Sequence, residues 1–190
     1  PAAPVTPVAP SKPADKPDET KPTETTYPDV QPTDWYYEAV EAVTEKGLMS
    51  GTDNGFEPNL ATSRAMIWTV LARMDGKTVS GSGSEWYAAS QSWASENGVS
   101  DGSDPNGRIT REQFAAMLYR YALRQGRAGA DAAANFAGFA DVESVSDWAR
   151  DAMRWAVSSG IINGIDGRLC PQGEATRAQI ATMLQRYLEK

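Results

Sequence analysis

Three arginines recur in one local setting, Ser63-Arg64, Thr110-Arg111 and Thr176-Arg177, and each is followed nine residues later by a second, Arg73, Arg120 and Arg186. A hydroxyl side chain is a natural helix N-cap, because it accepts from an otherwise orphaned backbone N–H of the first turn. Gln113 and Gln179, three residues beyond their threonines, complete capping boxes, whereas the first copy has Met66 there. The arginine after the cap places a full positive charge where the helix dipole is already positive and cations are mildly disfavoured. Three such arginines at one position require a partner. An external anion is one: free first-turn N–H groups beside a guanidinium suit a carboxylate or phosphate. An aspartate of the arginine's own unit, such as Asp29 or Asp141, is the other.

Other chemistry finds little support. The chain has no histidine, so Cys170, its single cysteine, has no imidazole to activate it and no internal disulfide partner. No pair of acids recurs in the way a catalytic dyad would need, which argues against an enzyme. Asp101 to Glu112 carries acids at both ends of a calcium-type loop. Inside that loop Pro105 stands at a ligand position and Asn106 where glycine is required, so no metal or other cofactor is expected.

The elements that carry the arginines are legible from periodicity. Ile67/Val70/Leu71/Met74, Phe114/Met117/Leu118/Tyr121 and Ile180/Met183/Leu184/Tyr187 each form an i, i+3, i+4, i+7 stripe, and so predict three equivalent helices. Upstream of the first lie Tyr27-Pro28-Asp29-Val30, Asp34 as a candidate N-cap, and a helix from Trp35 to about Lys46 that Gly47 stops. Gly51 and Asp53-Asn54-Gly55 then form a tight loop before Phe56-x-Pro58. Phe139-Ala140-Asp141-Val142, Trp148, Gly160, Gly164 and Leu169-x-Pro171 repeat the pattern in register, with twelve residues from Trp to Gly, four from Gly to Gly and thirteen from Gly to Arg. The middle unit keeps Trp86, Gly98 and Gly102, but Gly102 to Arg111 is only nine residues and the opening aromatic-x-Asp-Val is missing. That shortened loop predicts a lesser role for Arg111. Trp35, Trp86, Trp93, Trp148 and Trp155 read mostly as core packing of the first helices.

Units of about fifty residues cannot bury their own apolar stripes, so the three must pack together. A formal net charge of −7 argues against nucleic acid or an anionic membrane surface as partner. No stretch approaches the roughly 18 apolar residues of a membrane span. Residues 1–26 are rich in Pro, Thr, Lys and acids with no aromatic residue, the composition of an extended spacer joining a C-terminal module to a larger protein.

The recurrence of aromatic-x-Asp-Val, Trp, Gly-x-x-x-Gly, Phe-x-Pro and Thr-Arg resembles the S-layer homology domain, in three copies over residues 27–76, 77–126 and 127–190. The resemblance implies a mainly α fold: three helix-loop-helix units with hairpin-like loops, in a pseudo-threefold arrangement around a central three-helix bundle. It also implies non-catalytic anchoring at the bacterial cell surface through secondary cell-wall polysaccharide, bound in the grooves between repeats and commonly ending in a pyruvylated amino sugar. The family box Thr-Arg-Ala-Glu nominates Arg64, Arg111 and Arg177, and its loop glycine nominates Gly51, Gly102 and Gly164. The boxes here read Ser63-Arg64-Ala65-Met66, Thr110-Arg111-Glu112-Gln113 and Thr176-Arg177-Ala178-Gln179. A module assembling with surface-layer neighbours is the alternative. Deleting residues 1–26 is expected to leave the melting temperature and any wall binding unchanged, as calorimetry and a pull-down with purified walls would show.

Overall fold

A computed structural model describes residues 26–79, 81, 83–128 and 136–190. The spacer lies outside the described residues except for Thr26, whose N–H and hydroxyl bond the Glu41 carboxylate at the surface. The described chain is mainly α. Its helices are α1 (Tyr37–Glu45), α2 (Arg64–Met74), α3 (Ala88–Glu96), α4 (Arg111–Arg124), α5 (Arg150–Ser158) and α6 (Arg177–Leu188). Among the described residues β-structure is confined to isolated bridges, two of which, Thr52 to Gly55 and Ile165 to Arg168, close the expected miniature hairpins.

The caps sort into two kinds. Ser63, Thr110 and Thr176 each accept from the N–H three residues on, and Gln113 and Gln179 complete reciprocal boxes. Asp34 is not the cap of α1. Its carboxylate accepts from the Gln31 N–H at 2.8 Å, and α1 starts only at Tyr37 without a side-chain cap. Gly47, Gly98 and Gly160 end the first helices with φ of 65°, 64° and 67°. Open space surrounds a Cβ at Gly47 and Gly98, so the left-handed backbone alone demands glycine there.

The three predicted stripes are buried, with Met74 only partly so. In α2 burial extends beyond the stripe to Ala65, Trp68, Thr69 and Ala72, as in a helix packed on several sides. Packing crosses unit boundaries in a cycle: α3 lies on α2, α5 on α4, and α1 on α6. The last pair joins the two ends of the described chain. Trp93 and Trp155 are core residues as expected, with ring centroids 6.3 Å and 6.2 Å from Tyr121 and Tyr187.

A closed ring of backbone hydrogen bonds joins the residues just ahead of the three caps. The Thr62 N–H donates to the Ala175 carbonyl, Ala175 to Ile109, and Ile109 back to Thr62, at 2.8–3.0 Å. The first two N–H groups of each second helix are also taken by a neighbouring unit. Arg64 and Ala65 donate to Gly107 and Pro105, Arg111 and Glu112 to Gly173 and Pro171, and Arg177 and Ala178 to Leu60 and Pro58. Each helix therefore starts on a turn that another unit supplies.

Those turns are themselves held. Glu57, Asp104 and Cys170, the middle residues of Phe56-x-Pro58, Ser103-x-Pro105 and Leu169-x-Pro171, have positive φ of 57°, 50° and 50°. Asp29 accepts from the Phe56 and Glu57 N–H groups, and Asp141 from those of Leu169 and Cys170, at 2.7–2.8 Å. These aspartates thus serve backbone, not the arginines of their own units.

Two outcomes follow. A chain ending at residue 126 lacks α6, on which α1 packs, and the Gly173 and Pro171 carbonyls on which α4 starts. It is expected to be largely unfolded by circular dichroism, and a cooperative melt near that of the full chain would contradict the cycle. The second outcome concerns acid. Partial burial raises the Asp141 carboxyl, but the Leu169 and Cys170 N–H bonds and nearby Arg168 outweigh it and leave the group below its ordinary value. A depressed folded value stabilises above the unfolded value of about 3.9, and that contribution is lost as pH falls through the folded value. The melting-temperature gap between wild type and Asp141→Asn is therefore expected to narrow as pH is lowered from about 4.

Candidate functional site

Each first arginine reaches across to the turn on which its helix starts. Arg64 Nε donates to Ser103 O at 2.8 Å, Arg111 Nε to Leu169 O at 2.8 Å, and Arg177 Nε to Phe56 O at 2.7 Å. The acceptor is always the residue before the positive-φ position. With the first two N–H groups bonded to carbonyls and the third to the cap hydroxyl, the helix ends have no free donors for an anion. Only the outer guanidinium nitrogens remain for that purpose.

Each first arginine also lines a groove, and the three grooves are built alike. Arg111 shares one with Asn163, Gly164 and Arg186 of the third unit and Trp35 of the first. Arg177 shares the next with Ser50, Thr52 and Arg73 of the first unit and Trp86 of the second. Arg64 shares the last with Ser100, Asp101 and Arg120 of the second unit and Trp148 of the third. Each groove thus takes its first arginine, its loop and its tryptophan from three different units. Their volumes are about 390, 270 and 280 Å³ in that order.

This arrangement corrects the reading of three tryptophans as core. Trp35, Trp86 and Trp148 are 67%, 36% and 56% exposed and stand at the grooves. Trp35 lies four and eight residues before Ala39 and Val43, two of the buried positions of α1, so periodicity put it on the buried stripe; α1 begins only at Tyr37, and Trp35 lies outside the helix. The second arginines were also missed as groove residues. Arg73, Arg120 and Arg186 each donate to the residue after their own unit's helix-ending glycine, Leu48, Val99 and Ile161, at 2.9–3.2 Å. Arg120 lies inside α4, which continues to Arg124. Two guanidinium groups therefore line each groove.

The grooves differ in what the first arginine has left to offer. Arg111 uses only Nε among the described residues, which leaves both terminal nitrogens for a forked contact. Burial, reinforced by nearby Arg186, pushes its guanidinium below the ordinary value, with Cys170 and Asp141 opposing. Arg177 spends one terminal nitrogen on Ser50 O at 2.7 Å and lies over the Phe56 ring at 4.6 Å. Arg64 spends one on the Asp101 carboxylate at 2.8 Å. The shortened second loop thus lines the Arg64 groove, not the Arg111 groove, because each arginine reads its neighbour's loop.

The loop glycines divide in the same way. Gly164 lines the Arg111 groove, while the other grooves are lined by Ser50 and Thr52 and by Ser100 and Asp101. A Cβ would lie 2.4 Å from the Tyr27 ring at Gly51, 2.6 Å from the Phe139 ring at Gly164 and 2.5 Å from Ser95 Oγ at Gly102, so all three glycines serve close packing. The Gly51 N–H donates to Tyr27 Oη at 2.9 Å. Phe139 has no hydroxyl to do this for Gly164. The ends of the calcium-like stretch diverge: Asp101 faces Arg64 and Ser103, while Glu112 is buried and accepts from Ser146 and Gln172.

Comparison with known proteins identifies relatives of this chain. The chain is 31% identical over 175 residues to an amylopullulanase of Thermoanaerobacterium thermosulfurigenes, covering 82% of this chain and 9% of that protein. It is 27% identical to exoglucanase XynX of Acetivibrio thermocellus, covering 82% and 16%, and 29% identical to the S-layer protein sap of Bacillus anthracis, covering 84% and 21%. The chain spans about a fifth or less of the length of these relatives. The sequence model of the S-layer homology domain matches residues 26–65 and 138–181, which hold the first and third arginine boxes or their approaches, and the chain belongs to the S-layer homology domain family.

Proposed function

We propose that this chain is a non-catalytic anchoring module of three repeats, residues 27–76, 77–126 and 127–190, that tethers a larger protein to the bacterial cell surface. Its ligand is an acidic secondary cell-wall polysaccharide, with a pyruvylated amino sugar seated in the inter-repeat grooves. The observation that carries this reading is the Arg111 groove, where a guanidinium with both terminal nitrogens uncommitted among the described residues lies beside Arg186 and the exposed Trp35. A ketal-linked pyruvate is a carboxylate on a methyl-bearing carbon. Paired guanidinium groups suit the carboxylate, and an indole face suits the methyl group and the sugar ring. The relatives support tethering: enzymes named for polysaccharide degradation and proteins named for surface layers share this segment within much longer chains.

Arg111 and Arg177 are the leading ligand residues, with Arg64, Gly164, Gly51 and Gly102 in supporting positions. Replacing Trp35 by alanine is expected to weaken binding to purified wall polymer at least tenfold while leaving the melting temperature within a few degrees, since the side chain is 67% exposed. Arg111→Ala is expected to weaken binding and to destabilise the fold, by about 1.5–3 kcal/mol each, because the same side chain holds the Leu169 turn and lines the groove. Arg111→Lys keeps the charge without the fork and is expected to bind weakly as well. Walls stripped of the polymer, or polymer freed of pyruvate, are expected to lose the protein. Undiminished binding to stripped walls, with self-association of the chain instead, would favour the surface-layer assembly reading.

A further inference from the structure

The three grooves are built alike but not charged alike. At the loop position facing the first arginine stand Asn163 in the Arg111 groove, Ser50 in the Arg177 groove and Asp101 in the Arg64 groove. Only the last is an acid. Its Oδ1 lies 2.8 Å from Arg64 Nη2 and 3.0 Å from the Ser103 N–H, and its Oδ2 accepts from Ser103 Oγ at 2.8 Å. Ser100 Oγ adds weaker contacts to the carboxylate and the guanidinium, at 3.4 and 3.3 Å.

The origin of this acid is structural. Asp29 and Asp141 hold the turns of the first and third units from behind, through the N–H groups of Phe56 and Leu169. The second unit has no opening aromatic-x-Asp-Val, and its loop is four residues shorter. Asp101 takes over the equivalent N–H, that of Ser103, but it does so from the groove side. One carboxylate therefore holds the turn and also neutralises the arginine of that groove.

We infer that Asp101 is a built-in occupant of the Arg64 groove, holding the guanidinium that a ligand carboxylate would need, so that this chain binds acidic glycan through two grooves and not three. The inference rests on the anchoring role proposed above, since it concerns the same ligand chemistry. A carboxylate held by Ser103 and Arg64 within the molecule competes at an effective concentration that no dilute ligand matches. An incoming carboxylate would also meet like charge in this groove.

Trp35, Trp86 and Trp148 stand one to a groove, so their indole N–H signals report each site separately. The test titrates the full chain with the pyruvate ketal of an N-acetylhexosamine methyl glycoside, followed by NMR of the indoles in wild type, Asp101→Asn and Asp101→Ala. The amide can still accept from the Ser103 N–H without the charge, and the alanine variant removes both. Melting curves identify which variants are folded. In wild type, Trp35 and Trp86 are expected to shift while Trp148 stays unmoved. In a folded Asp101 variant, Trp148 is expected to shift as well, with affinity in that groove at least tenfold above wild type. A Trp148 response in wild type equal to that of the other two overturns the inference, and so does its continued silence in both variants. Silence of all three indoles in every protein overturns the inference and the glycan reading together, whereas silence of Trp148 alone leaves the glycan reading standing.

Discussion

Each second helix begins on a neighbour's backbone, and the rest of the molecule depends on that contact. Two first-turn N–H groups and the arginine Nε converge on one turn of another unit, whose central residue is held at positive φ. A helix N-terminus normally leaves such donors to water or to a ligand. Among the described residues the acceptors that satisfy them belong to a different unit, so a unit alone would have both an uncovered apolar stripe and orphaned donors. The pairing of α1 with α6 closes the cycle that this requirement sets up.

The grooves follow from the same contact. An arginine that staples a turn through Nε still has its terminal nitrogens for other partners. Lysine has no counterpart to this division, because its donors all sit on one nitrogen and cannot hold a turn and present a planar fork at once. The second arginine is fixed by its own unit's loop carbonyl, and an exposed tryptophan from the remaining unit stands opposite. The cation that the helix dipole disfavours is thus offset by a carbonyl hydrogen bond to its Nε, and its terminal nitrogens are left for other chemistry.

Likeness among the grooves ends at the loops. Among the described residues, a carbonyl, a carboxylate or no group meets the outer nitrogens, depending on the neighbour's sequence. Short changes in one unit therefore act on the arginine of another. The loss of four residues and of an opening aspartate from the second unit is felt at Arg64, with Asp101 drawn in to hold the turn from the open side.

The sequence by itself determined the six helices, the capped starts of the second ones, the buried stripes, the hairpin loops of the first and third units and the family. These features are local or periodic, so hydroxyl caps, glycine ends and i, i+3, i+4, i+7 spacing carry them within a few residues. Tertiary structure alone decided where the arginines point. Asp29 and Asp141 looked like their partners because they recur in the same units, yet backbone N–H groups claim both. The exposed Trp35, Trp86 and Trp148 and the groove role of the second arginines were likewise hidden. Each groove is assembled from three units far apart in the chain, and no local pattern encodes which unit's loop lies opposite a given side chain. That pairing is set by the order in which the helices close into a cycle, a property of the packed molecule as a whole.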